Sequence, residues 1–314
     1  MYILALSSNL PHLHKPHILL LMPAKSSKRA YLRNNEITNL ELIANELRQD
    51  VIQMLLEAES GHSAGSLGTA DIFAALYFNK LNIDPKNPKW KDRDRFYLSN
   101  GHICPILYAS LAKRGYFDRK ELWTLRKLNS RLLGHPVNVK LPGIESTSGS
   151  LGQGLSQAIG AAIAGKMDNK KFRVYCLTGD GELNEGQIWE AAMFAPNRGL
   201  SNLTWIIDRN NIQIDGYTEQ IMPLENLRKK LEAFNWNVIG VDGHNIEEIL
   251  NAFSMAEAVG HKPTAVIAYT IPGKGVEFME YKFEWHGLPP NKDQAAKALK
   301  QLRSFEGKIK YDHD

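Results

Sequence analysis

A carboxylate and a carboxamide, each at the end of an apolar run and 30 residues apart, constrain this chain more than any other feature. The first run, 173–178, leads into Gly179-Asp180-Gly181-Glu182-Leu183-Asn184-Glu185-Gly186, after which the pattern turns helical. The second run, 203–208, leads into Arg209-Asn210-Asn211-Ile212. That spacing is the length of one strand–helix–strand unit, about 30 residues. A right-handed crossover sets two parallel strands close together with their carboxyl ends on one edge. Open α/β sheets bind their ligands at that edge. Asp180 and Asn210 are therefore expected side by side, two oxygen donors suited to a hard divalent cation such as Mg2+, which draws its other ligands from phosphate and water. Gly-Asp-Gly read alone is only a tight turn; Asn210 at the end of the next strand is what turns it into a metal site.

The rest of the chain keeps the same rhythm. Further short runs rich in β-branched and aromatic residues fall at 95–99, 238–241 and 265–269, as strands covered on both faces should read. Helical segments at 154–166, 187–196, 224–235 and 245–259 separate the runs. A helix is also expected from Asn39, because Leu40, Ile43, Leu47, Val51, Met54, Leu55 and Ala58 recur at helical spacing up to Gly61. The fold class is α/β, a parallel β-sheet flanked by helices, in one domain over 39–314. Residues 1–38 are interrupted by Pro11, Pro16 and Pro23 and are expected to be an N-terminal extension or a misassigned start. Its His12, His14 and His17 are too irregularly spaced to read as a metal site.

Composition removes several function classes. With 43% hydrophobic and 23% charged residues, the 314-residue chain can bury a large core, which excludes global disorder. Its net charge of +4 is spread thinly, without the basic stripe and interleaved aromatics of a nucleic-acid surface. The apolar run Ile18 to Met22 is far short of the roughly 20 residues needed to span a bilayer. No secretory signal pattern begins the chain. Cys104 and Cys176 sit in apolar surroundings with no CxxC spacing, so a disulfide framework is not expected and a reducing cytoplasm fits.

Two further clusters accompany the metal pair. Gly149-Ser150-Leu151-Gly152-Gln153-Gly154 opens a helix of small residues, and its backbone N–H groups can face an anion or a ring. The glycines run G-x-x-G-x-G after a poor strand, which argues against a dinucleotide fingerprint. Among the ten histidines, His62, His102, His135, His244 and His286 each adjoin a glycine. Each alone is as well explained as an ordinary turn residue, but as a set they suit a pocket where imidazoles bind phosphate and move protons. His244 precedes a helix start and is read as a cap.

Taken together, these stretches resemble the N-terminal, diphosphate-binding part of transketolase, a thiamine diphosphate enzyme. Ser60-Gly61-His62, Leu98-Ser99-Asn100-Gly101-His102, Gly134-His135-Pro136, Gly149 through Gly154, Gly179-Asp180-Gly181 through Glu185-Gly186, Asn210 through Gly216 and His286-Gly287 follow the family's order over about 40–290. Gly-Asp-Gly with its downstream Asn is shared by many thiamine diphosphate enzymes; the ordered histidines are far more specific. The resemblance implies a thiamine diphosphate-binding (PP-type) domain in which Asp180, Asn210 and the backbone carbonyl of Ile212 hold Mg2+, with Ca2+ or Mn2+ able to stand in. It implies that His102, Gly181, Asn210 and His286 meet the diphosphate end and that Gly149, Ser150 and Leu151 touch the aminopyrimidine and thiazolium region. His62, His135 and His286 would bind sugar hydroxyls and move protons, and Glu185 would be the acid of an inter-subunit carboxylate network.

Ser63 and Ser150 stand where the family commonly has proline, without loss of a functional side chain. The chain also lacks the pyrimidine-binding and C-terminal domains of the full-length pattern. It is therefore expected to be the N-terminal subunit of a split transketolase, inactive alone and completed by a C-terminal subunit in an α2β2 assembly. That enzyme would transfer a two-carbon ketol unit from a ketose phosphate to an aldose phosphate, as in the pentose phosphate pathway. The competing readings are the α subunit of a 2-oxoacid dehydrogenase, a pyruvate-using synthase, a split ketol transferase for an unusual sugar, and a non-catalytic scaffold.

Overall fold

The computed structural model describes residues 27–313, with side chains from 34 to 310. His12, His14, His17 and most of the expected extension lie outside the described residues. The first helix, α1 (Ser27–Ala58), starts ahead of the expected Asn39. Its leading residues are mostly polar, and a polar stretch can prolong a helix without carrying an apolar period. Ile37 and Leu40 tie this part down by packing on Ile246.

Five strands form the main sheet: β1 (Arg95–Leu98), β2 (Val174–Gly179), β3 (Leu203–Arg209), β6 (Asn237–Asp242) and β7 (Thr264–Tyr269). Their order is β1-β2-β3-β7-β6 and every neighbour pair is parallel. A small antiparallel pair, β4 (Ile212–Gln213) and β5 (Gly216–Tyr217), follows β3. All five expected strands are present within a residue of their expected ends.

The apolar runs look continuous in sequence because both faces of the sheet are covered. Tyr175, Leu177, Ile206, Val266 and Ala268 point into one core with α1, α3 (Ala70–Ala75), α4 (Cys104–Arg114), α9 (Ile246–Ala258) and α10 (Lys292–His313). The alternate residues Val174, Cys176, Leu203, Trp205, Ala265 and Ile267 point into a second core with α5 (Gly154–Met167), α6 (Gly186–Asn197) and α8 (Leu227–Ala233). Trp205 stacks edge-on against Trp236 at 5.4 Å and donates its Nε1–H to Thr178 Oγ1 at 2.9 Å.

Helices α2 (Ala64–Gly68), α3, α4 and α10 have no counterpart in the sequence reading. The first two are buried throughout and α4 from Cys104 to Ala112, so they carry no polar face to mark a period. Helix α7 (Thr218–Ile221) is a single turn. Among the described residues no helix is long and apolar enough to cross a membrane, and Cys104 and Cys176 are free and buried.

Candidate active site

The carboxyl ends of β1, β2 and β3 gather on one edge of the sheet. Gly179 lies opposite Asp208 in register, and the Asp180 N–H donates to the Asp208 carbonyl at 3.1 Å. Asp180 is 1% exposed. Its Oδ2 accepts from Arg209 Nη1 at 2.7 Å and from the Asn211 N–H at 2.6 Å, while Oδ1 accepts from Thr218 Oγ1 at 3.2 Å. Asn210 donates Nδ2–H to Asp208 Oδ2 at 2.7 Å and accepts the Ile212 N–H on Oδ1 at 3.0 Å. Thr270 donates to the other Asp208 oxygen. Burial pushes the Asp180 carboxyl above its usual range against the pull of Arg209, and pushes Asp208 up to about 7. Among the described residues Arg209 is the cation paired with Asp180, and a divalent cation would add positive charge beside these buried oxygens.

Three imidazoles converge beside this edge. His62 follows α1 at Gly61, His102 lies in the turn after β1, and His286 ends a helical turn at Phe283–Trp285. Their ring centroids lie 4.9 Å (His62–His102), 5.0 Å (His102–His286) and 5.7 Å (His62–His286) apart. Burial, followed by the neighbouring His286, Arg126 and His135, lowers His62 to about 4. Burial likewise lowers His102 well below its usual value, and lowers His135 and His286. At neutral pH all four are uncharged, each with one ring N–H to donate and one ring nitrogen to accept.

A cavity of about 350 Å³ joins the two features. Its wall contains His62, His102, His135, Gly149, Leu151, Asp180, Gly181, Asn210, Ile212 and His286. Two expected residues stand elsewhere: Ser150 is exposed outside the wall, and Glu185 is exposed at the start of α6, against Gly152. His244 is structural, accepting the Ile271 N–H on Nε2 and pairing Nδ1 with Asp71. The cap of α9 is Asn245 rather than His244.

The cavity fits a diphosphate cofactor with a metal. Among the described residues, His62 Nδ1, Asn100 Oδ1 and Ser148 Oγ are buried without a hydrogen-bond partner, and both His62 and Asn100 line the cavity. Such orphaned groups are costly unless a ligand satisfies them. A side chain at Gly181 would place its Cβ 2.9 Å from Gln213 Cβ, so only glycine fits there. No cluster of three or more His, Cys, Asp or Glu suited to a metal occurs among the described residues. That leaves an oxygen set of carboxylate and carboxamide, the kind that needs phosphate to complete it.

The family profile described as "Transketolase, thiamine diphosphate binding domain" matches residues 40–312. The chain belongs to the transketolase family. It is similar over nearly their full length to two shorter relatives. One is the 6-deoxy-6-sulfo-D-fructose transketolase subunit SqwG of Clostridium sp. (strain MSTE9), 44% identical over 264 residues, 84% of this chain and 96% of that protein. The other is an apulose-4-phosphate transketolase subunit of Phocaeicola vulgatus, 38% identical over 279 residues, 89% of this chain and 99% of that protein. The solved R525L transketolase mutant from Pichia stipitis superposes with a TM-score of 0.79 at 34% identity, covering 86% of this chain. This chain spans 41% of that longer transketolase chain. Transketolases are transferases, and this chain is of that enzyme class.

Several site residues were not singled out from the sequence. Arg126 donates to Ser60 Oγ at 2.8 Å and reaches the Gly134 carbonyl at 3.5 Å, joining the His62 and His135 loops. Arg209 extends from Asp180 to Glu219 at 2.5 Å and Glu225 at 3.3 Å. Neither stands in a glycine-flanked pattern, so local sequence carried no signal for either. Glu182 lies inside the Gly-Asp-Gly stretch itself, visible as a residue but not as a role.

Proposed function

We propose that this chain, over 39–314, is the diphosphate-binding subunit of a two-subunit transketolase that moves a two-carbon ketol unit from a ketose phosphate, or an unusual ketose in its place, to an aldose phosphate. The observation that carries this reading is the meeting of three uncharged histidines with the Asp180–Asn210 pair in one cavity. Asp180, Asn210 and the Ile212 carbonyl would hold Mg2+, with Ca2+ or Mn2+ as substitutes. His102 and the Gly181 backbone would face the diphosphate, with Asn210 and His286 beside them. Gly149 to Leu151 would border the rings. Bound thiamine diphosphate supplies the carbanion that breaks and remakes the carbon–carbon bond next to the ketose carbonyl. His62, His135 and His286 would hold the sugar hydroxyls, donating from one ring nitrogen and accepting on the other, and an imidazole that takes a hydroxyl proton would carry it as imidazolium until it is returned. Glu185, exposed beside Gly152, would meet the partner subunit.

The partner would be a separate C-terminal subunit carrying the pyrimidine-binding and C-terminal domains, two copies of each chain making the enzyme. The end-to-end match to two proteins named as transketolase subunits supports this division. Their names also favour an unusual sugar over a pentose phosphate as the substrate, a selectivity residing mostly in the partner. The reading places the enzyme in the cytoplasm, in keeping with two free, buried cysteines.

The test is purification of the tagged chain from its native extract, with identification of the protein that accompanies it in equal amount. The purified complex is then assayed for ketol transfer from a pentulose phosphate, apulose 4-phosphate and 6-deoxy-6-sulfofructose. A transketolase-type partner and thiamine diphosphate-dependent transfer are expected. A 2-oxoacid dehydrogenase β subunit, or a transketolase-type complex inactive on every ketose, overturns the proposal.

A further inference from the structure

Glu182 sits in the turn Gly181–Asn184 directly after β2, is 3% exposed, and yet belongs to the cavity wall. Its carboxylate collects donors from two segments distant in sequence and from the end of the strand that precedes it. Oε1 accepts Ser99 Oγ–H at 2.5 Å and the Gly152 N–H at 2.7 Å, and Oε2 accepts the Gly179 N–H at 3.3 Å. Ser99 Oγ in turn accepts the Gly154 N–H at 3.0 Å, which connects the first turn of α5 to the same point. A Cβ on Gly154 would lie 2.5 Å from the Ser99 side chain, so loop and turn are pressed together with no slack.

Each segment held in this way contributes to the cavity. The turn after β1 provides Asn100 and His102, the loop before α5 provides Gly149 and Leu151, and the end of β2 provides Asp180 and Gly181. Burying a carboxylate is costly, and an apolar residue would pack the position at less expense. What an apolar residue lacks is the ability to receive three hydrogen bonds at once. Glutamine lacks it too, because one of its two terminal atoms is a donor and would oppose an amide N–H. A site that must hold a ligand in one geometry needs supporting groups that keep its loops in place beforehand.

We propose that Glu182 is a positioning residue for cofactor binding, a single buried carboxylate that locks the three cofactor-facing loops together through Ser99 and the Gly152 and Gly179 amides. This inference rests on the proposed thiamine diphosphate site, and its consequences separate from that reading. The lock acts in the empty protein, so it is measurable without cofactor.

The experiment compares the wild-type subunit complex with Glu182→Gln, Glu182→Asp and Ser99→Ala. Amide hydrogen exchange is followed over 149–155 and 178–184 in cofactor-free complex, and thiamine diphosphate affinity is titrated at saturating Mg2+. Glu182→Gln should speed exchange in both segments about tenfold or more while β7 stays protected, and weaken thiamine diphosphate about 10–100-fold, the range for lost supporting contacts. With saturating cofactor, kcat should recover most of its loss. Glu182→Asp, which keeps three acceptor sites on a shorter arm, should fall between, and it stands in should the Gln variant not fold. Unchanged exchange, exchange raised equally in β7, or an affinity within twofold of wild type would overturn the proposal. Faster local exchange in a complex whose wild type binds no thiamine diphosphate would keep the lock, reject its cofactor role and reject the functional reading with it.

Discussion

His62 shows how one side chain takes its chemistry from what surrounds it. Burial, with His286 and Arg126 close by, denies it a proton until about pH 4. Unfolded, it titrates near 6.5. Between these values the unfolded chain binds the proton and the folded chain does not, so stability falls as pH drops through the window. His62→Asn should flatten the dependence of unfolding free energy on pH from 6.5 to 4 by up to about one proton. An identical slope in the two proteins would contradict the neutral imidazole. Asp180→Ala leaves Arg209 and Thr218 without their shared acceptor and removes the carboxylate proposed to hold Mg2+. Mg2+-dependent binding of thiamine diphosphate by the assembled enzyme should fall at least 100-fold, to be read by calorimetric titration, an estimate of order set by loss of a charged, hydrogen-bonded group.

At the scale of elements, the close packing of α5 on the end of β1 is the feature most exposed to test. Gly154→Ala would set a methyl 2.5 Å from the Ser99 side chain and 2.7 Å from its Cα. The expected cost is about 1–3 kcal/mol in urea unfolding, the ordinary penalty for overpacking. Gly160 on the same helix has open space around its Cβ position, so Gly160→Ala should stabilise the isolated chain by up to about 1 kcal/mol through helix propensity. Helix α9 is capped by Asn245, whose side chain accepts the Glu248 N–H at 3.1 Å while Glu248 Oε2 accepts the Asp242 N–H at 3.0 Å. These local contacts explain why the α9 boundary was readable to within a residue, whereas α8 is shorter than its expected 224–235 because the chain enters it through an extended segment ending at Asn226.

Across the whole molecule, a buried charge cluster ties the helical layer to the sheet. Arg48 of α1 forks onto Asp71 of α3 and donates Nε–H to the Leu67 carbonyl at 3.1 Å. His244, in the turn after β6, reaches the same carboxylate at 2.7 Å and holds the Ile271 amide beyond β7. Burial by itself would raise Asp71, but Arg48 and His244 outweigh it and hold the carboxyl at about 2. Its contribution to stability is present above the unfolded value near 3.9 and is lost as pH falls through about 2. Arg48→Met strands Asp71 and should cost about 3–5 kcal/mol in denaturant unfolding, with Arg48→Met/Asp71→Leu costing clearly less. An equal cost for the single and double variants would show that packing, and not charge, sets the effect.

The parallel sheet, the placement of Asp180 and Asn210 at one edge and the membership of five strands were legible in sequence. Each follows from information within some 30 residues: apolar runs, glycine breaks and crossover length. His62, His102, His135 and His286 were legible as a set of glycine-flanked turn residues suited to one pocket, though the distances and orientations inside it were not. Those are decided by segments from 61 to 287 folding onto one edge, over distances at which sequence spacing carries no geometry. The roles of Glu182, Arg126 and Arg209, and the helices α2, α3, α4 and α10, belong to the same category. A buried charged residue is defined by the partners that compensate its burial, the buried helices α2, α3 and most of α4 by the surfaces around them, and α10 by the core onto which Ala295, Ala298 and Leu302 pack. Sequence by itself therefore determined which backbone elements form and which chemistry they can carry. Only the tertiary structure decided which loops face one another, because hydrogen bonds such as Glu182 to Ser99 close between residues that local propensity treats independently.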